Sequence, residues 1–469
     1  MKSDIKNIIM KRVKNIHFIG IGGSGMSGIA SILKDLGYNV SGSDISSSKV
    51  TDNLKKQDIK ISIGHQKDNI LSKDVVVISS AIDKKNVEYL YAKELNIPVI
   101  KRAEMLSELM RFSYGIAIAG THGKTTTTSL LSHILNEANY DPTYIIGGKI
   151  INSSNAKLGS SDYLIAEADE SDASFLHLQP MMSVITNIDK DHLENHGYSF
   201  DILKKNFLEF INNLPFYGLC LLNINDINTK SIIGKISRPF KTFGLNEYAD
   251  YEAIPINIES MPATYYYKEN DAKYEIKLNM PGKHNILNSL AAIAVARELK
   301  VPIKSIQKSL SNFPGISRRF EIIGDFKING KSFMWIDDYG HHPSEMKEVL
   351  ETISNVWRDR RVMMIFQPHR YTRTAEHFKE FIEILQKIDN IILMDIYAAN
   401  ETPIENINSK TIVKEIKKIN DNNNILLMND QEELISHINN NIKNNDILLT
   451  MGAGNISKFV NFLKNSLSC

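Results

Sequence analysis

The chain has 469 residues, of which 42% are hydrophobic and 23% are charged. This length predicts about three domains, and the composition is that of a soluble globular protein, which excludes disordered, fibrous and membrane proteins. The 55 Lys and Arg residues against 54 Asp and Glu residues leave a net charge of +1. We therefore expect neither a nucleic acid nor an anionic membrane as the main partner.

The cysteines and the N-terminal residues indicate the compartment. Cys220 and Cys469 are the two cysteines, which are too few for a disulfide framework or a structural zinc site. Residues 1–15 are rich in charge and lack the apolar stretch of a signal peptide, and no later run of about 18 apolar residues follows. We expect a cytoplasmic protein without a membrane span.

The first part of the chain predicts a parallel sheet with helices on its faces, because apolar strands alternate with helical segments. The predicted strands are 16–21, 39–43, 75–78 and 97–100. We place this first domain at residues 1–110.

A glycine turn joins the first predicted strand to a helix. The turn runs from Gly20 to Gly25 with the pattern G-x-G-x-x-G, and Asp44 follows the second strand. A diphosphate at the helix N-terminus with an acid near a hydroxyl group fits NAD and a UDP-sugar equally well. The pattern alone is a weak signal, and a separate nucleotide loop downstream favours the UDP-sugar.

That second loop is the sequence Gly120-Thr121-His122-Gly123-Lys124-Thr125-Thr126, which follows a predicted strand at 115–119 and opens a helix. Its glycines let backbone amides surround phosphate oxygens, Lys124 can reach the outer phosphates, and Thr125 can bind Mg²⁺. The spacing is shorter than that of the usual phosphate loop, and a glycine turn with a surface lysine is the ordinary alternative. We predict a nucleoside triphosphate site in a domain covering 111–315.

Polar runs follow the next two predicted strands, 163–166 and 182–187. The first run is Glu167 to Asp172, and the second, Thr186 to His192, stands at the end of the other strand. Ligands gather at the carboxyl ends of parallel strands, so we expect both runs to converge on the phosphate loop. Oxygen ligands suit Mg²⁺, and Glu167 is the first choice, although acidic runs are also typical of solvated loops.

Two further features of the central part are less specific. A strand is predicted at 218–223, and the tyrosine-rich segment 247–277 is predicted as a subsidiary antiparallel piece. Asn285 and Asn288 lie one turn apart on an alanine-rich helix. Their amides fit either the edge of an adenine or ordinary helix capping.

A third α/β domain is predicted at 316–469, after a linker that contains Pro314 and Gly315. Its predicted strands are 334–337, 362–367, 391–395, 424–428 and 446–450. The first two strands lead into runs of acids, histidines and arginines, Asp337 to Pro343 and Gln367 to Thr374. Arginine forks suit a carboxylate such as that of a free amino acid.

Taken together, these segments resemble the Mur ligase family. The matching runs, in family order, include GIGGSGMSGIA, GTHGKTTTT, EADESDASFLHLQP, TNIDKDHLE, PGKHNILN, DDYGHHPSE and QPHRYTRT. They cover about residues 16 to 456. The EADESDASFLHLQP and DDYGHHPSE runs resemble the members that accept L-alanine rather than those that accept D-glutamate or diaminopimelate.

The resemblance implies an α/β fold of three domains: a Rossmann-like N-terminal domain for a UDP-sugar, a central P-loop ATPase domain, and a Rossmann-like C-terminal domain for an amino acid. It implies a ligase that uses ATP and Mg²⁺ to join L-alanine to the lactyl carboxylate of UDP-N-acetylmuramate through an acyl phosphate. The product would be a peptidoglycan precursor. The alternatives are a ligase that reattaches a recycled tripeptide to the same sugar, an NAD-dependent oxidoreductase and a non-enzymatic ATP switch.

The resemblance also implies roles for individual residues. The UDP-sugar would contact Gly20, Gly22, Gly23, Gly25, Asp44, Ser80 and Arg102. ATP would contact Gly120 to Thr126 with Asn285, Asn288, Arg319 and Asp338. Magnesium would be held by Thr125, Glu167 and His192, and the catalytic residues would be Lys124 and His192. L-Alanine would contact Tyr339, His341, Arg370 and Arg373.

One position departs from the family pattern. Asn400 stands where the family usually has glycine. Asparagine tolerates a left-handed backbone better than most residues do, so we expect only a local effect on this turn.

Overall fold

The computed structural model describes residues 10–79, 81–246, 248–419 and 424–467. The chain packs as two compact units. The first comprises Met1–Ile256, Thr264–Asn279 and Asn285–Pro314, and the second comprises Asn257–Ala263, Met280–His284 and Gly315–Cys469. Among the helices of the described ranges, none is long and apolar enough to cross a membrane.

The first unit begins with a five-stranded parallel sheet. Its strands are β1 (Asn15–Ile19), β2 (Asn39–Asp44), β3 (Lys60–Ile63), β4 (Val75–Ile78) and β5 (Val99–Lys101), in the order β3-β2-β1-β4-β5. The accompanying helices are α1 (Ser24–Asp35), α2 (Lys49–Lys56), α3 (Val87–Glu94) and α4 (Arg102–Arg111). The strand order reverses between β1 and β4, which is where doubly wound sheets bind their ligands.

A ten-stranded sheet forms the rest of the first unit. Its strands are β6 (Tyr114–Ala119), β7 (Thr143–Ile145), β8 (Ala156–Lys157), β9 (Tyr163–Glu167), β10 (Met182–Ile185), β11 (Leu219–Asn223), β12 (Phe240–Leu245), β13 (Tyr251–Asn257), β14 (Ala263–Glu269) and β15 (Ala272–Leu278). Their order is β15-β14-β13-β12-β11-β10-β6-β9-β7-β8. The helices are α5 (Lys124–Glu137), α6 (Phe200–Asn212), α7 (Ile227–Ile232), α8 (Lys283–Glu298) and α9 (Ile303–Ser311).

The tyrosine-rich segment corrects one prediction. The expected subsidiary piece is part of the main sheet, because β13 pairs in parallel with β12 and β14 and β15 follow it in the same sheet. Tyr265 and Tyr267 are fully buried, and the Tyr265 hydroxyl lies 2.7 Å from the hydroxyl of Ser289 on α8. Tyr265 and Tyr267 therefore serve as core residues of an extended sheet, whereas Tyr266 between them is exposed.

The two sheets of the first unit share one hydrophobic core. Met26 and Ile29 of α1 belong to the same buried cluster as Ile145 of β7 and Ala156 of β8. Since apolar burial is the main stabilising term in packing, this cluster explains why the two sheets form one compact unit.

The second unit is built on a six-stranded sheet. Its strands are β16 (Glu321–Ile328), β17 (Lys331–Asp338), β18 (Val362–Phe366), β19 (Asn390–Leu393), β20 (Asn424–Leu427) and β21 (Asp446–Met451), in the order β16-β17-β21-β18-β19-β20. Only β16 is antiparallel to its neighbour among these described strands. The helices are α10 (Pro343–Val356), α11 (Tyr371–Glu376), α12 (Phe378–Leu385), α13 (Ser409–Ile419), α14 (Gln431–Asn441) and α15 (Ile456–Leu467).

Side chains that alternate along the strands of this sheet pack into one hydrophobic core on each face. Met334 and Ile336 of β17 lie in one buried cluster, whereas Phe333 and Trp335 lie in the other. Successive strand residues point to opposite faces, so a strand covered by helices on both sides must be apolar throughout. This requirement explains the continuous apolar runs that predict these strands.

Candidate active site

The second glycine turn lies at the carboxyl end of β6 and opens α5. Gly120 and Gly123 have positive φ values of 134° and 82°, and Gly123 precedes the first residue of the helix. A Cβ atom on Gly123 would overlap the side-chain oxygen of Asn288. Glycine is therefore required at this position both for the backbone conformation and for the close approach of α8.

The segment after β10 holds this turn in place. The Thr186 hydroxyl donates to the carbonyl oxygen of His122 at 2.6 Å, and Asn187 Oδ1 accepts from the backbone N–H of His122 at 2.9 Å. The backbone N–H of Asp189 donates to the Thr121 hydroxyl at 2.9 Å. The polar run after β10 thus contacts the phosphate loop, as the sequence predicts.

Lys124 is partly buried and pairs with the buried Glu170 from the other polar run. Its Nζ donates to Glu170 Oε2 at 2.7 Å and to the carbonyl oxygen of Gly120 at 2.6 Å. Burial alone would lower the pKa of Lys124, but the carboxylates of Glu170 and Asp169 outweigh it and raise the pKa. The loop therefore carries a fixed positive charge at the helix N-terminus.

The predicted magnesium ligands lie on three different segments. Thr125 is buried in the first turn of α5, and Glu167 ends β9, where Oε1 accepts from the N–H of Gly147 at 2.6 Å. His192 follows β10, and its Nε2 lies 3.5 Å from Asp191 Oδ2. Thr125 and Glu167 offer the oxygen donors that Mg²⁺ prefers, whereas His192 offers nitrogen.

The two predicted amides lie in the first two turns of α8. Asn285 and Asn288 are both buried. Asn288 Oδ1 accepts from the Thr127 hydroxyl at 3.4 Å, and this amide lies against Gly123. Asn288 therefore packs beside the phosphate loop, and its position on α8 is not that of an N-terminal cap.

The first glycine turn is fixed from β2. The carbonyl oxygen of Ser43 accepts from the N–H groups of Gly20 and Ile21 at 2.9 and 3.1 Å. Asp44 Oδ2 accepts from the N–H of Gly22 at 2.8 Å. The predicted acid thus holds the turn through one oxygen, and Ser80 lies outside the described residues.

Arg102 connects this first turn to the acidic run. It is the first residue of α4, and its guanidinium lies against Gly25, with Nη1 2.8 Å from where a Cβ atom would be. Its Nη2 donates to Asp169 Oδ2 at 3.0 Å, and Asp169 also accepts from the Ser171 hydroxyl. Consecutive acids, Asp169 and Glu170, therefore pair with the cations of the two turns.

In the second unit, Asp338 organises the turn after β17. Its carboxylate accepts from the N–H groups of Phe320 at 2.7 Å and Gly340 at 2.6 Å. Burial raises the pKa of Asp338 to about 6, although Arg319 acts in the opposite direction. Both carboxylate oxygens are engaged within the second unit, and the Arg319 guanidinium lies 4.9 Å from the centre of the Tyr339 ring.

His341 lies among aromatic and charged groups in the same turn. Its Nδ1 lies 3.1 Å from the carbonyl oxygen of Tyr339, which only an N–H can satisfy, so the proton of the neutral ring is on Nδ1. Burial lowers the pKa of His341 to about 3, and Arg373 and His369 act in the same direction. His341 is therefore neutral near pH 7.

The two predicted arginines differ in their surroundings. Arg370 pairs with Glu401, which also accepts from the Thr372 N–H at 3.0 Å. Arg373 is buried, and its Nη1 lies 3.4 Å from His369 Nδ1. The second unit thus gathers Tyr339, His341 and Arg373 near His369, whereas Arg370 is tied to Glu401.

The turn that departs from the family pattern is left-handed, as expected. Asn400 has a φ of 68°, and the preceding Ala399 has a φ of 48°. The adjoining Tyr397 stacks on His369, with ring centres 5.4 Å apart.

The sequence does not predict the contacts of the residues that hold the predicted ones, although Asp169 and Glu170 are candidates for metal ligands. Their common signal is an acid or aromatic ring close in sequence to a predicted run, but a sequence pattern cannot say which cation each acid will meet. These residues are Asp169 and Glu170 in the first unit and Glu345, His369, Tyr397 and Glu401 in the second.

Comparison with known families gives three consecutive matches. The family model described as Mur ligase family, catalytic domain, matches residues 15–114. The Mur ligase middle domain matches residues 118–296, and the Mur ligase, glutamate ligase domain matches residues 318–454.

Individual relatives align over almost the whole chain. The UDP-N-acetylmuramate--L-alanine ligase of Vesicomyosocius okutanii is 51% identical over 98% of this chain and 99% of that protein. The protein of the same name from Ruthia magnifica is 50% identical over 99% of both chains.

Solved structures agree with these matches. The UDP-N-acetylmuramate-alanine ligase of Thermotoga maritima has a TM-score of 0.81 at 29% identity and covers 97% of this chain and all of that one. A murein peptide ligase from Psychrobacter arcticus has a TM-score of 0.74 at 24% identity, over 97% of this chain and 98% of that one, and shows the shared fold. The three predicted α/β domains are therefore confirmed as a Mur ligase architecture, and the chain belongs to the Mur ligase family.

Proposed function

We propose that this protein joins L-alanine to the lactyl carboxylate of UDP-N-acetylmuramate, with cleavage of ATP to ADP and phosphate, in the synthesis of peptidoglycan precursors. The observation that carries the proposal is the pair of glycine turns in the first unit, each at the N-terminus of a helix and each close to a cation, Arg102 or Lys124. An oxidoreductase would need only the first of these turns. Relatives that align over almost the whole chain carry the name UDP-N-acetylmuramate--L-alanine ligase.

ATP would bind at the second turn, with its phosphates on the backbone N–H groups of Gly120 to Thr126. The positive end of α5 and the charge of Lys124 both favour phosphate at this point. Asn288 supports the turn from α8, so its contribution to ATP binding would be indirect. Asn285, Arg319 and Asp338 remain further candidates for contacts with the nucleotide.

Thr125 and Glu167 fit a magnesium ion by their chemistry. Both are oxygen donors, and one carboxylate oxygen of Glu167 is fixed by the N–H of Gly147. Asp169 and Glu170 pair with cations, which makes them weaker candidates. His192 would be a third, nitrogen-bearing ligand. The metal would supply positive charge that favours phosphoryl transfer.

The UDP-sugar would bind at the first turn. Gly20, Gly22, Gly23 and Gly25 would hold its diphosphate, and Arg102 lies beside the last of these glycines. Asp44 already bonds Gly22, so its second oxygen is the one that would meet a hydroxyl group of the ligand. Ser80 remains a predicted contact.

L-Alanine would bind in the second unit. Arg373 would hold its carboxylate, since a buried guanidinium is matched to a carboxylate in charge and geometry. The neutral ring of His341 can accept a hydrogen bond at Nε2, and Tyr339 lies beside it. Arg370 would contribute less than Arg373, because Glu401 already pairs with it.

The reaction overcomes the poor reactivity of a carboxylate toward an amine. A carboxylate oxygen of the sugar attacks the γ-phosphorus, and ADP leaves. The amine of alanine then attacks the acyl carbonyl and expels phosphate. Lys124 and the amides of its turn would stabilise charge on the transferring phosphoryl group, where orientation and electrostatics supply most of the rate enhancement.

The test uses a sugar substrate whose lactyl carboxylate carries ¹⁸O. We expect ADP and inorganic phosphate as products, with one labelled oxygen in the phosphate, only when L-alanine is present for turnover. Label in AMP would indicate an adenylate instead, and unlabelled phosphate would indicate plain hydrolysis of ATP. Either result would overturn the proposed mechanism.

A competition between L-alanine and L-Ala-γ-D-Glu-diaminopimelate separates this function from tripeptide recycling. We expect ATP turnover to follow free L-alanine. Preference for the tripeptide would reassign the protein to recycling, and reduction of NAD without ATP turnover would reassign it to the oxidoreductases.

A further inference from the structure

Two buried histidines in the second unit contact each other beside the proposed amino-acid pocket. The Nε2 atoms of His342 and His377 are 3.1 Å apart, and their ring centres are 4.4 Å apart. The residues are 3% and 8% exposed. Neither residue is among those predicted from the sequence to bind a substrate.

The hydrogen bonds fix which nitrogen of each ring carries a proton. The backbone N–H of Ser344 donates to His342 Nδ1 at 3.3 Å, so the proton of neutral His342 is on Nε2. His342 Nε2–H must then donate to His377 Nε2, which leaves the proton of His377 on Nδ1. That nitrogen lies 3.7 Å from Glu380 Oε1. Opposite tautomers therefore satisfy the pair.

The pair joins the two chain segments that carry the proposed pocket. His342 directly follows His341 and caps the N-terminus of α10. His377 separates α11 from α12, and its backbone N–H donates to the carbonyl oxygen of Arg373 at 3.0 Å. The side-chain bond between the rings thus connects the turn of His341 to the helix of Arg373.

We propose that His377 is a positioning residue for the amino-acid pocket, which it serves by accepting the hydrogen bond of His342. This inference rests on the proposed function, because it takes His341 and Arg373 as contacts of L-alanine. Orientation of a bound amine depends on both contacts at once, so a shift between the two segments weakens alanine binding. ATP and the UDP-sugar make their proposed phosphate contacts elsewhere.

The kinetic test compares His377→Leu with His377→Gln in the full chain. Leucine offers no acceptor, so a buried N–H of His342 loses this partner, and the KM for L-alanine should rise by about tenfold. The KM values for ATP and UDP-N-acetylmuramate should change by less than about twofold. The amide oxygen of glutamine can accept from His342, so His377→Gln should recover most of the alanine affinity.

His437→Leu is the matched control, because His437 lies on α14 of the same unit and its ring contacts Asn441 of its own helix. It should leave the KM for alanine unchanged. Equal rises of all three KM values in His377→Leu, or a failure of His377→Gln to restore alanine affinity, would overturn the inference. If His377→Leu does not fold, the glutamine variant still decides, since it must retain near-normal alanine affinity.

An independent test reads the tautomers by NMR of the full chain with ¹⁵N-labelled histidine. We expect an Nε2–H ring for His342 and an Nδ1–H ring for His377, the latter assigned by its disappearance in His377→Gln. Two Nε2–H rings, or a charged ring at about pH 7.5, would overturn the hydrogen bond. This measurement does not depend on turnover, so a chain that lacks alanine-dependent ATP turnover would refute the proposed function without deciding the state of the pair.

Discussion

The two glycine turns of the first unit share one local architecture and differ in the source of their charges. Each turn follows a parallel strand and opens a helix, and such an element attracts anions through its backbone N–H groups. In the first turn, Asp44 bonds the turn itself, and the cation, Arg102, comes from a distant helix. In the second turn, Lys124 belongs to the loop, and the acid, Glu170, comes from a neighbouring strand end.

This difference suggests how one element serves two ligands. An arginine at the side of the first turn can bridge oxygens of a diphosphate that stays intact. In the proposed function, a lysine within the second turn would lie close to the phosphates that react, where its charge would have the largest effect on the rate. Predictions that alter one turn at a time therefore test whether the two turns act on different substrates.

Replacement of Lys124 by alanine should have the largest effect. We expect kcat to fall by on the order of a hundredfold or more, the scale of losing a preorganised charge at the transferring group. Calorimetric titration should show UDP-N-acetylmuramate affinity within about twofold of the original, because the first turn is untouched. Lys308→Ala, at an exposed lysine near Glu137, is the control. Near-normal turnover of folded Lys124→Ala would refute the ATP site.

Replacement of Gly22 by valine should act on the other substrate. A Cβ atom there would lie 2.8 Å from Asp44 Oδ2 and 3.3 Å from Thr51 Cγ2, so the turn must shift. Crowding of this size costs about 1–3 kcal/mol, which predicts a KM for UDP-N-acetylmuramate about 5- to 150-fold higher. The KM for ATP should stay the same.

Gly234→Val is the matched control, because a Cβ atom at Gly234 meets no atom within 4 Å. Tight binding of NAD that Gly22→Val abolishes would reverse the assignment of the first turn.

A third prediction contrasts these charged turns with the neutral His341 of the second unit. Burial lowers its pKa to about 3 in the folded chain, whereas an unfolded histidine titrates near 6.5. As the pH falls below about 6.5, the unfolded state binds a proton that the folded state does not, so stability decreases. Between pH 7 and 5 the original protein should lose about 1–2 kcal/mol more unfolding free energy than His341→Gln.

Tryptophan fluorescence during urea unfolding measures this difference in unfolding free energy. It reports on the unit that contains His341, because Trp335 and Trp357 are the two tryptophans of the chain and both lie in the second unit. Identical pH dependence of the two proteins would mean that His341 titrates as it does in the unfolded chain.

Much of this architecture follows from the sequence. Apolar runs predict β1, β6, β10 and β18 because strands buried on both faces must be apolar. The polar edge strand β3, with the sequence KISI, gives no such signal, and neither does the two-residue β8. The order of strands in each sheet depends on packing between distant segments, which periodicity does not contain.

The site could be predicted to the level of segments. The rule that ligands gather at carboxyl ends correctly brings the run of Asp189 to the phosphate loop. The pairing of Asp169 with Arg102, 67 residues apart, could not be predicted, because any of several acids could meet that cation. Likewise, the sequence does not distinguish Arg370 from Arg373, whereas in the structure Arg370 is the one that pairs with Glu401.

The smallest expected effect concerns the ion pair between Arg102, which lies beside the first turn, and Asp169. Asp169 orients Arg102 beside Gly25, but both side chains of this pair are partly exposed, at 39% and 23%, so their interaction is screened by water. Asp169→Asn should therefore raise the KM for UDP-N-acetylmuramate by only about two- to fourfold, with the KM for ATP unchanged. In an Arg102→Ala background the same substitution should have no effect, since the partner is absent.

Asp172→Asn, which alters an acid that bonds only Ser174 among the contacts described, is the control. A larger effect on ATP than on the sugar would mean that Asp169 serves the second turn through its neighbour Glu170, and equal effects with and without Arg102 would mean that the ion pair does not orient the sugar site.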